Sequence, residues 1–338
     1  MTAASTRPET AHLMPLYRES IAPQLEKLEG KRRRAAFRAR IVGGVLIGMG
    51  VVASVVAGRL GFRDPTDLLV MFGGAGFAAA MWLLRKVRSR TKAVLVTRAF
   101  ESLGWTHTEE ASKPPHMDDY TAHRLLPRHD SGHFEDHVRG RHAGADFDMR
   151  EAKLTQKRGK RTKTVFQGCI LSVDFHQPFH STTVVLRDRG VLNRSKLAGL
   201  KRVGMASPKW ENMFEAYGTD QVEARVKLDP DFMERLMALE ESVDGKKLRF
   251  GFFDNRLHVV VETANRFEPG SMFKPLADPA RMEQLIGEIE ALMAVVEGVR
   301  KPGQAVEPVT AVPAPEVTSG YAWPFNPYDP DGVLLRRA

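Results

Sequence analysis

Six histidines crowd one stretch of the chain: His116, His123, His129, His133, His137 and His142. His133 and His137 stand four apart, with Glu135 and Asp136 between them. On a helix that spacing would put two imidazoles on one face, where they could share a metal ion. On a strand they would share a face yet lie about 13 Å apart at roughly 3.3 Å per residue, too far to chelate one ion. Ser131-Gly132 ahead of His133, Gly140 soon after and strand-like neighbours favour the second geometry. His133 and His137 are therefore the metal candidates, on a polar, partly exposed strand and loop, and no cofactor is expected.

Asp136, Glu151 and Asp174 fall at or near expected strands. Two carboxylates meeting across a sheet could do acid–base work or hold Mg²⁺, and Asp136 and Glu151 are the catalytic candidates. A membrane-anchored hydrolase or metal-dependent enzyme using them and the nearby histidines is one functional reading. Against it, the chain has no Gly-x-Ser-x-Gly elbow, no P-loop and no dinucleotide fingerprint. Cys169 is the only cysteine, so no intramolecular disulfide can form, as suits a reducing compartment. Within Gly168-Cys169-Ile170-Leu171 it reads as a small buried side chain rather than a nucleophile.

A third group is Asp220-Gln221-Val222-Glu223-Ala224-Arg225. Asp220, Glu223 and Arg225 are the ligand-binding candidates. The same residues also write a helix start, with Thr219 or Asp220 as N-cap, Glu223 in the first turn and Arg225 paired with an acid.

The elements that must position these residues follow from periodicity. Ala145 to Leu154 and Thr164 to Phe175 read as strands flanking the turn Lys157-Arg158-Gly159-Lys160-Arg161, which is expected to be solvated. Thr182 to Leu186 is a further strand, and Lys247 to Phe253 with Arg256 to Thr263 form a hairpin around Asp254-Asn255. Pro230 to Leu239 and Pro279 to Val296 repeat apolar residues at helical spacing. Strands with segregated helices make an α+β domain. From Lys301 the chain turns rich in Pro, Ala, Val, Thr and Glu, a disordered tail over 301–338 whose end carries Tyr321, Trp323, Phe325 and Tyr328.

Two uncharged apolar runs stand ahead of that domain, 41–58 and 68–84. A span of a hydrocarbon core about 30 Å thick needs roughly 17 to 25 helical residues, so the pair reads as a transmembrane hairpin. Pro15 to Gly30 is a short amphipathic helix before it, within a basic N-terminal segment 1–40, and Thr91 to Leu103 continues the helix beyond it. Lys27, Lys31, Arg32, Arg33, Arg34, Arg38 and Arg40 precede the first span; Arg85, Lys86, Arg88, Arg90 and Lys92 follow the second. The loop has only Arg59 and Arg63, beside Asp64 and Asp67. The positive-inside rule then puts both termini and the domain 85–300 in the cytoplasm.

Net charge is +9, and these juxtamembrane clusters account for the whole excess, so a nucleic-acid partner is not expected. Anionic head groups at Lys31, Arg32, Arg33, Arg34, Arg85 and Lys86 are. Gly44 and Gly48, and Gly76 and Ala80, are small pairs that allow close helix packing, within the hairpin or in a homo-oligomer. No charge lies inside a span, which argues against a channel or transporter.

Several stretches resemble the bacterial domain-of-unknown-function family 3137. They are Glu135-Asp136-His137-Val138-Arg139-Gly140, Phe147 with Glu151-Ala152-Lys153-Leu154, Phe166-Gln167-Gly168, the run from Gly218 to Leu236, and Phe267-Glu268-Pro269-Gly270-Ser271. Gln167 departs from the family's usual basic residue. The resemblance covers about Leu25 to Val299 and omits the tail. It implies a multi-pass protein of the bacterial inner membrane with a cytoplasmic domain, and no reaction, cofactor or catalytic residue. The combined expectation is a membrane-anchored protein whose cytoplasmic domain binds a protein or lipid partner.

Overall fold

A computed structural model describes residues 7–61, 64–159, 161–175, 179–187, 197, 199–242 and 248–299. The expected tail, Arg63 of the loop and Lys160 of the basic turn lie outside them.

Two long helices come first: α1, Leu13–Arg59, and α2, Thr66–Ser102. The stretch 15–30 is not a separate helix. It runs unbroken into the first apolar run, because Lys31 to Ala36 are strong helix formers with nothing to stop the ladder. Single wide turns at Tyr17–Ile21 and Ala93–Thr97 are the only irregularities described in the pair. Gly104, at φ 73°, follows α2 where a left-handed residue ends a helix. Only 11% of the most apolar window of each helix is buried within the protein. Val52, Val70, Phe77 and Trp82 are 63%, 73%, 70% and 73% exposed. A core helix would hide such residues; these two are long and apolar enough to cross a membrane.

The helices touch through glycines, of which Gly76 belongs to an expected small pair and Gly43 and Gly50 do not. A Cβ on Gly76 would sit 3.3 Å from the Gly43 carbonyl oxygen, and one on Gly50 would sit 2.8 Å from Phe72 Cβ. Around Gly44 and Gly48 there is open space, so this small pair faces away from the partner helix. The Ser54 hydroxyl donates to the Pro65 carbonyl near the hairpin's closed end.

The sheet has nine strands, all antiparallel: β1 Thr106–Glu110, β2 Ser131–His142, β3 Ala145–Arg158, β4 Arg161–Asp174, β5 Thr183–Arg187, β6 Lys201–Val203, β7 Phe214–Gly218, β8 Arg249–Phe253 and β9 Arg256–Glu262. Their order is β1-β2-β3-β4-β9-β8-β5-β7-β6. Asp254 and Asn255, at φ 51° and 57°, make the tight β8–β9 turn that their types predict. The helices among the strands are α3 Met117–Ala122, α4 Pro208–Glu211, α5 Gln221–Lys227, α6 Pro230–Ser242 and α7 Pro279–Gly298. The fold is α+β, two long apolar helices followed by an antiparallel sheet with helices.

One sheet face carries the main core. Leu171, Val173, Val259 and Phe252 pack there with Leu236 of α6, Ile289 of α7, and Leu13, Ile21 and Leu25 of α1. The first third of α1 is thus part of the domain, while its last third packs against α2 and the adjoining Pro65. Tyr120 and Leu125 cover the other face over Ile170, Val184 and Val260.

Candidate functional site at the helix–sheet junction

A cluster of buried charged residues of the sheet lies where α2 leaves its apolar stretch. β2 carries a bulge between Glu135 and Val138, and Asp136 within it has φ 51°. A non-glycine residue in the left-handed region is uncommon and costs roughly 1–3 kcal/mol. The bulge turns the Asp136 side chain inward, where it is fully buried. Lys92 of α2 donates to its Oδ2 at 2.6 Å, and Nε2 of His107 on β1 lies 2.9 Å from Oδ1. A carboxylate only accepts, so that nitrogen carries the proton. Nδ1 of the same ring meets the Thr97 hydroxyl at 2.9 Å. Burial, the largest single effect, pulls the Lys92 ammonium down, but Asp136, Glu268 and Glu135 together outweigh it and raise its pKa.

Glu151 stands on β3 opposite Glu135 and is also buried. Burial first, and then the Asp136 carboxylate, push its carboxyl up to about 9, so at neutral pH it is protonated. It accepts the Arg266 backbone N–H at 2.7 Å. Cys169 pairs with Glu151 in register, and burial pushes its thiol up, away from nucleophilic thiolate.

The catalytic candidates Asp136 and Glu151 are therefore brought together, with Glu151 holding its proton. Neither lines the cleft beside them, however, and Asp136 is consumed by Lys92 and His107. The metal candidates are separated in role. His137 Nε2 meets Asp148 at 2.8 Å beside Arg139, while His133 is 74% exposed and lies 3.9 Å from Glu135. The bulge breaks the alternation that would have put both imidazoles on one face. Among the described residues no three His, Cys, Asp or Glu are grouped to hold a cation.

The ligand candidates sit near the opposite end of the sheet. Asp220 caps α5, accepting from Val222 and Glu223 at 2.7 and 3.1 Å. Glu223 accepts the backbone N–H groups of His180 and Ser181, and Arg225 donates to the Gly204 carbonyl at 3.3 Å. Arg32 is also turned inward, away from any lipid surface. Its guanidinium donates to Glu29 and to the Met272 carbonyl, and the hydrogen bond from Arg32, with that from Arg33, brings Glu29 down to about 2. Lys31, Arg34, Arg85 and Lys86 are exposed, as is Arg33.

A cleft of about 800 Å³ opens beside this cluster, between α2, the β1–β2 edge and the segment 265–273. Arg281 of α7 shapes that segment by donating to the carbonyls of Pro269, Ser271, Lys274 and Pro275. Gly270, at φ 78°, has no room for a side chain, since a Cβ would lie 2.7 Å from Arg281 Nη1. Phe267 is buried edge-on against Phe100, 5.1 Å between centroids, and Glu268 pairs with Arg88 of α2 at 2.6 Å. Every residue of Phe267-Glu268-Pro269-Gly270-Ser271 thus has a place in holding one wall of the cleft against the helix.

Residues 164–301 match the family model described as protein of unknown function (DUF3137). This segment belongs to that family. The DUF3137 segment includes β4 to β9, the cleft wall 265–273 and α7, whereas the bulge of β2 and Glu151 precede it. No curated protein matches the chain. Among solved structures, the mycobacterial trehalose monomycolate transport factor A matches at 12% identity, over 64% of this chain and 97% of that chain. Its TM-score of 0.29 is too low to mark a common fold.

Lys92, His107 and Arg88 escape a motif search, whereas Glu268 lies in the Phe267-Glu268-Pro269-Gly270-Ser271 motif. The signal that could find the helix residues is the spacing 81, 85, 88 and 92, which is one face of α2. Nothing in Thr106-His107-Thr108 announces His107.

Proposed function

We propose that this chain is a membrane-anchored binding module, spanning the bacterial inner membrane twice with both termini in the cytoplasm, whose domain takes a membrane lipid in the junction cleft. One observation carries the reading: the cleft begins at Met81, Trp82 and Leu84, inside the second apolar run, and continues without a break to charged residues of the sheet. A ligand filling it would have an apolar part in the bilayer and a polar part in the domain. The neighbouring carboxylates Asp136 and Glu151 do not line this cleft, which favours binding there over acid–base turnover.

A photoreactive phenylalanine analogue tests this, placed at Phe134 in the cleft and, separately, at Tyr217 near the opposite end of the sheet. Irradiation of membranes holding the full chain should yield lipid adducts at Phe134 and none at Tyr217. Protein adducts alone at Phe134 would point to a protein partner and overturn the lipid reading.

A further inference from the structure

We propose that the cleft selects a zwitterionic phospholipid headgroup, its phosphodiester at Arg85 and its primary ammonium between Glu110 and Glu135. This deepens the lipid-binding reading and rests on it. The chemistry changes in order along one face of α2. Met81 and Leu84 are apolar, Arg85 and Arg88 follow within the next turn or so, and Ser89 then donates to Glu109 at 2.7 Å. At about 1.5 Å per residue the basic level lies roughly 6 Å beyond Met81, and the acidic level roughly 6 Å beyond that. A phospholipid with an amino headgroup runs in that order, from chains to phosphate to ammonium.

The free charges agree with this order. Lys92 is neutralised by Asp136, and Arg88 by Glu268. Among the described residues Arg85 meets no carboxylate and Glu110 meets no cation, and both are exposed into the cleft. Glu109 is held only by the Ser89 hydroxyl. Glu135 accepts from Asn265 at 2.7 Å and lies 3.9 Å from His133, while Lys92 and Arg88, each ion-paired elsewhere, act on it only from a distance. Glu110 and Glu135 stand directly opposite each other on β1 and β2. Like charges facing across a strand pair repel, and among the described residues no lysine or arginine forms an ion pair with either of them. A ligand ammonium between them would. A purely anionic headgroup would meet these carboxylates unpaired, which is discrimination by repulsion.

The test uses the full chain in mild detergent, with thermal stabilisation and native mass spectrometry on titration with short-chain phosphatidylethanolamine or phosphatidylglycerol. Phosphatidylethanolamine should bind at least tenfold more tightly. Glu110→Gln with Glu135→Gln should erase the preference without unfolding the chain, since Glu110 is exposed and a glutamine amide oxygen at 135 can still accept from Asn265. Arg85→Gln should weaken both lipids alike. Equal binding of the two lipids, or a preference that survives the double substitution, would overturn the headgroup assignment and leave lipid binding standing. No binding of either lipid would overturn both. Phosphoethanolamine, which lacks chains, should bind far more weakly; equal affinity would remove the role of the apolar wall and with it the lipid as the source of the headgroup.

Discussion

Asp136 is the residue on which the junction turns. It accepts a left-handed backbone so that its carboxylate can meet Lys92 from a helix 44 residues earlier in the chain. Lys92→Met would leave that carboxylate buried with only His107. Breaking a buried pair costs about 3–5 kcal/mol, so the midpoint of unfolding should drop sharply, and Asp136→Asn in the same chain should restore part of the loss by removing the stranded charge. A double substitution no more stable than Lys92→Met alone would show that the pair is not coupled. Glu151 has the opposite character, because its proton is retained in the folded state. Between its ordinary 4.5 and about 9 the folded chain holds a proton that the unfolded chain has lost, so stability falls as pH rises, by up to about 1.4 kcal/mol per unit. His258 acts on the other limb. Burial holds it near 3 instead of 6.5, neutral between the Tyr120 hydroxyl, 2.7 Å from Nδ1, and the Phe253 carbonyl, 3.2 Å from Nε2. It therefore removes stability as pH falls below 6.5. Glu151→Gln, which keeps the shape and the uncharged state, should flatten the alkaline limb and leave the acid limb in place. Melting curves of the detergent-solubilised protein from pH 5 to 9 would show this, and an alkaline limb as steep as the parent's would contradict it.

At the scale of elements, the two long helices divide their glycines between contact and exposure. Gly76 has the Gly43 carbonyl and Leu46 against it, whereas Gly44 has nothing within reach. Gly76→Leu should force the helices apart and lower the thermal midpoint by the several degrees that about 1–3 kcal/mol of overpacking brings. Gly44→Leu should leave it unchanged; equal losses would mean that the helices pack through a different face. The sequence is explicit about these helices, since a long uncharged run has few other uses, but it is silent about which glycines face inward, because that depends on the partner's rotation. Something similar holds in the sheet. The Asp254-Asn255 turn and the apolar face of α7 are local patterns and can be read directly. β1 and β7 are not. Thr106 to Glu110 buries one side chain, and Phe214 to Gly218 is five residues between short helices, so neither repeats long enough to show a period. The bulge is less legible still. It moves Asp136 from one face to the other and parts His133 from His137, and the partner that Asp136 meets there, Lys92, comes from outside the strand. The same reason leaves Arg32 among the headgroup-facing basic residues and Lys92 in the basic cluster after the second span on sequence alone, while the structure turns both into the protein. Side chains whose partners lie far along the chain carry no local mark. The catalytic candidates could thus be named from their types while the cleft beside them could not.

For the whole molecule, the question is which leaflet the cleft faces. α1 joins the domain through Leu13 to Leu25 and leaves it at the basic turns around Arg33 and Arg34; α2 returns at Arg85 and Lys86. The exposed positive charge is thus concentrated on the domain side of the two apolar runs, and the short connection between them has little. Insertion with the basic flanks retained in the cytoplasm satisfies the positive-inside rule at both helices at once, and the attraction of anionic lipids, about 1 kcal/mol for each basic residue near the surface, acts in the same direction. The cleft then opens on the inner leaflet. Reporter fusions decide this directly. A periplasm-only reporter placed in the loop between Arg59 and Asp67 should be active, and the same reporter after Ala338 should be silent, with a cytoplasm-only reporter giving the converse. The reversed pattern would put the domain outside, present the cleft to the outer leaflet, and mean that Arg33, Arg34, Arg85 and Lys86 do not set the orientation.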